Sequence, residues 1–384
     1  MAAKPRVLLF AYACDPRRGS EPGAGATVAG VVSEIAESVV VITRIEADLP
    51  PEELQKQLGS NVRVITTGPR TGGMPTYLRY FLWILAASKV ARKLRSESQF
   101  DVLHHATYAT DWFVNPFVFL RKLATEVWVW GPAGGASYAP AAVSRIVLES
   151  AALSERVRTW STNSIRAVVH RLLRAKVDTA IALNLDSERS FVRGKFAKVL
   201  THSNAVLDYE NLPVRGVPDE RVLVYAGRGV SWKGLTIAIK AMAFLPDWKL
   251  KIAGPGTNSD SYRAMAREIG DRIEFLGALD RASTLSLFAS ATAMALPSLH
   301  DSAPWAAGEA AGIGTPVVCL DLGGVATMAG SMAVVVPTGS DGDLLQKFAS
   351  AVRTTPHMDA APDRSHTKLA LAETFVNAYR RSPR

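Results

Sequence analysis

The strongest constraint on this chain is a pattern written twice: short apolar, often β-branched runs alternating with segments of helical spacing, on each side of a polar break at residues 206–220. Before the break, residues 6–12 (RVLLFAY), 39–43, 62–66, 101–104 and 126–130 read as strands, with helical spacing at 27–37 and 75–95. The stretch 19–25 (GSEPGAG) reads as the loop between the first strand and the first helix. After the break, strands at 222–225, 249–252, 272–275, 291–296 and 316–320 alternate with helices at 234–244, 260–269, 281–289 and from Pro304. Crossovers of this length join parallel strands and lay helices on both faces of the sheet. The expected class is α/β, with two Rossmann-like parallel-sheet domains at 1–205 and 221–366, a linker at 206–220, and a basic helical tail at 367–384 that joins the first domain. The halves share architecture and no short sequence repeat.

Composition narrows the function classes. The 384 residues suit two domains of about 150–200, and 48% hydrophobic with 21% charged residues excludes disordered and low-complexity classes. Cys14 and Cys319, each ending an apolar run, exclude a disulfide scaffold or a cysteine-built zinc site and favour a reducing compartment. The amino-terminal run of about seven apolar residues leads straight into a loop, which reads as a strand and not as a signal peptide. No stretch reaches the roughly 18 apolar residues of a spanning helix; the nearest, 80–88, is closed off by Arg79 and Lys89. The expected location is cytoplasmic, with a peripheral place at the inner face of the membrane as its extension. The net charge of +9 is concentrated. Arg156, Arg158, Arg166, Arg171, Arg174 and Lys176 run without an intervening acid, and Lys89, Arg92, Lys93 and Arg95 form a second cluster. Both are candidate contacts to phosphates of a lipid or acceptor, or else solvated helix faces.

Ligands of open parallel sheets bind beyond the carboxyl ends of the strands, so the loops that follow strands carry the chemistry. Loop 227–234 (GRGVSWKG) puts Arg228 and Lys233 at one strand-to-helix turn, with glycines that let backbone approach a ligand and a helix amino end beside them. That is a diphosphate clamp by type, able to hold a charged leaving group, unless both cations simply face solvent. It lacks the glycine spacing and the terminal Lys-Ser/Thr of a Walker loop. Residues 297–318 (PSLHDSAPWAAGEAAGIGTPVV) place Asp301 after a strand, Pro304 as a first helical residue and Glu309 on the second turn. Gly308, Gly312 and Gly314 allow this helix to pack closely on the sheet or on a ligand. Carboxylates in this setting suit sugar and ribose hydroxyls; the plainer alternative is a capping Asp and an incidental Glu.

In that setting D-x7-E resembles the E-x7-E signature of retaining glycosyltransferases of the GT-B fold, especially glycosyltransferase family 4. GRGVSWKG resembles the family's phosphate-binding loop, and AGPG (253–256), RIEFLGAL (272–279), GSEPGAG, FDVLHHATY and WGPAGG follow in family-like order over nearly the whole chain. The resemblance implies two Rossmann-like domains facing a cleft, the second holding a UDP- or GDP-linked sugar and the first an acceptor. It implies Glu309 on the ribose, Asp301 and Ser302 on the donor sugar, and Arg228 and Lys233 on the diphosphate. Gly227, Gly254 and Leu276 line the donor side, and Gly23 and Gly25 close over the phosphates. A histidine lies near the reacting sugar, His105 being preferred to His104. Glu21, His104, Gly134 and Gly135 fall on the acceptor side.

The sequence departs from the family in carrying Asp301 where Glu is commoner, one methylene shorter, and in Pro304, which has no N–H to offer a sugar. No metal and no resident cofactor are expected, and DGD at 341–343 reads as a helix cap. Trp83, Trp112, Trp128, Trp130 and Trp160 are either ring-stacking or core residues. The function implied is a retaining glycosyltransferase acting on a glycan, lipid-linked or small-molecule acceptor, with an anionic membrane surface as a possible partner and nucleic acid not. The alternatives are a phosphorylase or pseudo-glycosyltransferase using the same fold, and a basic membrane- or nucleic-acid-binding protein.

Overall fold

The computed structural model describes residues 3–381 apart from 19, 46–48, 71–72, 149–151, 218–220, 340–342 and 356–360. The chain forms two compact units. Unit 1 comprises Met1–Ala136, Ser161–Val206 and Lys368–Arg384; unit 2 comprises Ser137–Trp160 and Leu207–Thr367.

Unit 1 is a seven-stranded parallel sheet in the order β3-β2-β1-β4-β5-β6-β7. Its strands are β1 Arg6–Ala11, β2 Ser38–Arg44, β3 Val62–Thr67, β4 Val102–Thr107, β5 Val127–Ala133, β6 Thr179–Ala182 and β7 Val199–Thr201. Alternate residues of β1 serve two cores, which is why the strand is apolar from Val7 onward. Leu8 and Phe10 pack with Tyr80, Trp83, Ile84 and Ala87 of the helix Thr76–Glu97. Val7 and Leu9 pack with Val28 and Val32 of the helix Ser20–Ile35 and with Leu371, Phe375 and Ala378 of the C-terminal helix Lys368–Tyr379.

The glycine-rich stretch expected to be a loop is instead the start of the helix Ser20–Ile35. Pro22 lies in its first turn, where the amide has no helical partner to lose. A Cβ at Gly23 or Gly25 would stand 2.2 Å from Arg18 O or 1.9 Å from Ala13 O. These glycines therefore let a helix sit against the chain that precedes it.

Unit 2 is a six-stranded parallel sheet in the order β10-β9-β8-β11-β12-β13. Its strands are β8 Val222–Ala226, β9 Lys249–Ala253, β10 Ile273–Gly277, β11 Ala293–Ala295, β12 Val317–Leu320 and β13 Ala333–Val336. Pro304 is the residue before the helix Trp305–Ile313 and not its first residue, and Gly314 closes that helix in the left-handed region, φ 97°. Gly308 faces Leu207 and Met328, and Gly312 faces Tyr209 and Leu212. The small residues thus seat the helix on the first part of the break, residues 207–212, with which unit 2 resumes. Asp343 caps the helix Leu344–Thr354 by accepting from Leu345 N; Asp341 and Gly342 of the same motif lie outside the described residues.

Candidate active site

In unit 2 the sheet winds outward in both directions from the neighbours β8 and β11, so the loops that follow these two strands flank the switch point. They are fastened to each other. Trp232 O accepts from Leu299 N at 2.9 Å and Ser298 Oγ at 3.3 Å. Gly234, at φ 75°, passes so near that a Cβ would stand 2.0 Å from Pro297 O. The fastening carries Lys233 Nζ to 2.7 and 2.6 Å from the two carboxylate oxygens of Asp301, with side chains only 14% and 12% exposed. Asp301 is fixed in turn by its carbonyl, which accepts from Gly324 N at 2.6 Å.

The Trp232 ring gathers both cations of the loop, Lys233 Nζ at 5.0 Å and the Arg228 guanidinium at 5.7 Å from its centroid. Arg228 itself is exposed. Glu309 is buried on the second turn of its helix, and its Oε1 accepts from Arg281 Nε at 3.1 Å and a terminal Arg281 nitrogen at 2.7 Å. Arg281 opens the helix Arg281–Ala289, which Asp280 caps by accepting from Ser283 N at 2.7 Å.

The sequence reading missed Trp232 and Arg281. Trp232 had a signal, its place between two flagged cations; Arg281 had only its position at a helix start after a strand.

The glycines flagged for ligand approach mainly bring loop to loop. A Cβ at Gly254 would lie 1.9 Å from Gly227 O, and one at Gly229 would lie 2.0 Å from Gly256 O. Gly254 N donates to Gly277 O at 2.6 Å, so the turns after β8, β9 and β10 form one backbone layer, with Leu276 half-buried beside it. Ser302 is half-buried next to Asp301, and its carbonyl is crossed closely by Gly324.

In unit 1 the corresponding neighbours are β1 and β4. Thr107 Oγ1 donates to Ala13 O at 3.1 Å and accepts from Ala13 N at 3.3 Å, joining the two strand ends. Tyr108 then takes φ 53°, a strained conformation for a non-glycine residue, and its N–H donates to Glu21 Oε2 at 3.2 Å. Burial pushes the Glu21 carboxyl up, against the lowering effect of that bond. Around them stand rings: Tyr12 lies 4.9 Å from both Tyr80 and Tyr108, and Arg79 donates to Tyr12 OH at 3.2 Å.

Both histidines of β4 are fully buried, and as strand neighbours they point to opposite faces. His104 clasps Tyr379 OH at 2.9 Å and Gly131 O at 2.5 Å. Burial holds its imidazole down at about 4. His105 Nε2 meets Tyr80 OH at 3.0 Å, while its Nδ1 is buried with no hydrogen-bond partner among the described residues. Burial, helped by His104, holds it down at about 3. His104 is thus a structural clasp and not an acceptor-facing group. His105 is inside the wall, reaching the strand ends only through Tyr80. Gly134 and Gly135 are backbone fasteners as well: Gly134 bridges Thr110, and Gly135, at φ 101°, leaves room for the Trp112 ring.

The basic clusters are partly spent inside the fold. Arg166 pairs with the fully buried Asp111 at 2.6 and 3.1 Å, and Lys176 Nζ caps the carbonyls of Phe117, Val118 and Leu120. Arg95 pairs with Glu126 at 2.7 Å. Tyr80, Trp83, Trp128 and Trp130 are core, which removes them as surface rings. Cys14 and Cys319 are free thiols, and burial pushes each up to about 12. Among the described residues no three or more His, Cys, Asp or Glu side chains gather as a metal site would require, and no helix is long and apolar enough to cross a membrane.

Comparison with known proteins adds to this geometry. Residues 211–364 match the family model described as glycosyl transferases group 1. D-inositol 3-phosphate glycosyltransferase of Corynebacterium glutamicum is 32% identical over 154 residues, 36% of this chain and 36% of that protein. The enzyme of the same name from Mycolicibacterium smegmatis is 31% identical over 153 residues, 37% of this chain and 35% of its own length. The chain thus matches about a third of the length of these curated relatives. Sucrose-phosphate synthase from Thermosynechococcus elongatus superposes with a TM-score of 0.64 at 16% identity, covering 98% of each chain. HepE of Anabaena, solved with UDP, superposes at 0.60 and 16% identity, covering 97% of this chain and 98% of its own. Identities this low speak for the fold alone. The chain therefore has the GT-B fold of these glycosyltransferases, and its residues 211–364 are similar to the glycosyl transferases group 1.

Proposed function

We propose that this chain is a retaining glycosyltransferase that moves a sugar from a nucleoside diphosphate to an acceptor hydroxyl. The observation that carries the reading is the switch point of unit 2, where Lys233, Asp301, Arg228 and, one helix on, Glu309 with Arg281 gather at the carboxyl ends of parallel strands. Lys233 and Arg228 neutralise the diphosphate as its bond to the sugar breaks. Because they are already in place, little reorganisation accompanies the developing charge. Glu309, steadied by Arg281 on one oxygen, takes the ribose hydroxyls, and Asp301 takes hydroxyls of the donor sugar. The acceptor attacks from the face that the diphosphate leaves, and the departing phosphate receives the acceptor proton. No resident metal or cofactor enters this scheme.

The acceptor belongs to the strand ends of unit 1 around Glu21 and Tyr108. D-inositol 3-phosphate, named in the relatives, is the first acceptor to try, and UDP, present with Anabaena HepE, the first nucleotide. A peripheral membrane contact also fits, though not through the buried residues Tyr80 and Trp83. The unit 1 part of the helix Ala152–Leu173 exposes Ile165, Val168 and Leu172, with Arg171 on the same helix and Arg174 just beyond it exposed as well. Anionic vesicles should bind the protein at low salt and release it as salt rises.

A thermal-shift panel of UDP, GDP and their sugar conjugates tests the donor assignment, since a ligand that binds only the folded state raises Tm. A shift with one nucleotide family, followed by transfer to acceptor with retained anomeric configuration, is the expected result. Absence of any shift at millimolar nucleotide would sink the reading.

A further inference from the structure

Lys233 and Asp301 are assigned above to two different groups of the donor, yet in the structure each is the other's partner. The ammonium touches both carboxylate oxygens, at 2.6 and 2.7 Å, and neither side chain has much water around it. The contact is built in. The loops that carry the two residues are joined through Trp232 O, and Asp301 is held from behind by Gly324 N. Lys233 also lies against the Trp232 ring, which keeps its stem from swinging freely.

We infer that Asp301 is a counter-anion that makes this site prefer a sugar nucleotide over the free nucleoside diphosphate. The inference rests on the donor reading above. Any diphosphate that engages Lys233 draws the ammonium from Asp301 and sets phosphate charge close to a poorly hydrated carboxylate. Like charges that near each other repel strongly where water is scarce. A donor carrying its sugar brings hydroxyls, which donate to the carboxylate and replace the lost ammonium contact. The free diphosphate has no such donors at that end, so it leaves Asp301 charged and unmatched. The same carboxylate therefore helps substrate stay and helps product leave. An unpaired Lys233 would bind both ligands through their common diphosphate and give the product no reason to go.

The test is calorimetric titration of wild type, Asp301→Asn and Asp301→Glu with UDP, GDP, UDP-glucose and GDP-mannose, with circular dichroism and Tm confirming that each variant is folded. Wild type should bind its sugar nucleotide more tightly than the matching free diphosphate. In Asp301→Asn the free diphosphate should bind about tenfold more tightly than in wild type, from relief of the like charge. The sugar nucleotide should gain nothing, so the preference collapses. Asp301→Glu, which restores the charge, should restore most of the preference. A free-diphosphate affinity that is unchanged or weaker in Asp301→Asn overturns the counter-anion role while leaving the donor reading intact. Failure of all four ligands to bind wild type overturns both. If Asp301→Asn does not fold, Asp301→Ala, which also removes the charge, takes its place, and a free-diphosphate affinity no tighter than that of wild type overturns the role.

Discussion

The two units carry the same sheet feature and line it with opposite chemistry. At the switch point of unit 2 the strand-end loops meet through an ion pair, Lys233 with Asp301, with a second pair, Arg281 with Glu309, on the neighbouring helices. At the switch point of unit 1 the strand-end loops meet through a threonine hydroxyl and a group of tyrosines, and the histidines beneath them are held neutral by burial. On the proposed function, unit 2 takes the ligand whose charge changes during reaction. Unit 1 offers ring faces and hydroxyls, which suit a ligand that must be oriented. On the proposed function, the ion pairs of unit 2 stand where the leaving group would develop its own charge.

If that contrast is right, the largest effect on turnover comes from unit 2. Lys233→Ala should reduce kcat/KM by a factor corresponding to about 2–4 kcal/mol, the scale of one preorganised electrostatic donor. Arg228→Ala, exposed and farther from Asp301, should fall at the lower end. Both are read by steady-state kinetics beside a melting curve. Near-wild-type turnover in Lys233→Ala, with its fold intact, would falsify the diphosphate assignment.

The next effect belongs to unit 1 and to pH. The folded-state values of His104 and His105, about 4 and about 3, lie below the ordinary 6.5. Unfolded chains therefore take up protons first as the solution is acidified. The stability is fully present above pH 6.5 and is lost as pH falls toward those values. At pH 5 each histidine should account for about 2 kcal/mol of lost stability. His170 and His202, also lowered by burial, act in the same direction. Urea unfolding at pH 7 and pH 5 measures the loss, and His105→Leu should show a smaller difference between the two pH values. An equal difference in wild type and variant would mean that the imidazole is not the group being titrated.

How much of this was legible in the sequence follows the same divide. All the described strands except β6, β7 and β13, which are only three or four residues long, and the unit 2 loops were readable because both rest on local pattern: apolar runs for buried parallel strands, and cations and acids placed just after them. What sequence could not supply was pairing. Lys233 and Asp301 stand 68 positions apart, and their meeting depends on β8 and β11 being neighbours, which is topology. Arg281 and Glu309 met for the same kind of reason, by way of helix packing. In unit 1 the reading erred where composition suggested a loop and packing required a helix, at Gly23 and Gly25. The histidine near the reacting sugar came only from the family resemblance, and the fold places both His104 and His105 in a strand whose two faces are core. A glycine's role depends on what approaches it, and the approaching atoms, Arg18 O and Ala13 O, follow only from the fold.

A smaller effect tests the second ion pair. Arg281 is 60% exposed on its side chain, so its contact with Glu309 is worth only about 1 kcal/mol or less. Arg281→Ala should raise KM for the sugar nucleotide several-fold with kcat nearly unchanged, because it positions Glu309 and touches no reacting atom. Arg281→Lys should recover little, since both guanidinium contacts converge on one carboxylate oxygen. A fall in kcat with KM unchanged would move Arg281 into the chemistry and blur the division between binding and charge stabilisation.

The smallest effect separates ordinary backbone strain from strain kept at a site. Among the described residues, two non-glycine residues have left-handed backbone, Tyr108 at φ 53° and Lys195 at φ 59°. Such a conformation costs an L-residue about 1–2 kcal/mol relative to glycine, less what glycine loses in the unfolded chain. Lys195 is exposed just past the helix Leu185–Arg193, where glycine is the usual terminator. Lys195→Gly should therefore stabilise the protein by about 0.5–1 kcal/mol. At Tyr108 the same relief is opposed by loss of the ring, which packs 4.9 Å from Tyr12 and 5.2 Å from Tyr80. Aromatic pairs contribute about 0.5–1.5 kcal/mol each beyond burial, so Tyr108→Gly should be net destabilising and should raise the acceptor KM. Thermal melts of the two variants, read with acceptor kinetics, decide the matter. Stabilisation of both to the same degree, with acceptor KM unmoved, would show that the Tyr108 ring holds nothing in place, and the orienting role given to unit 1 would fall with it.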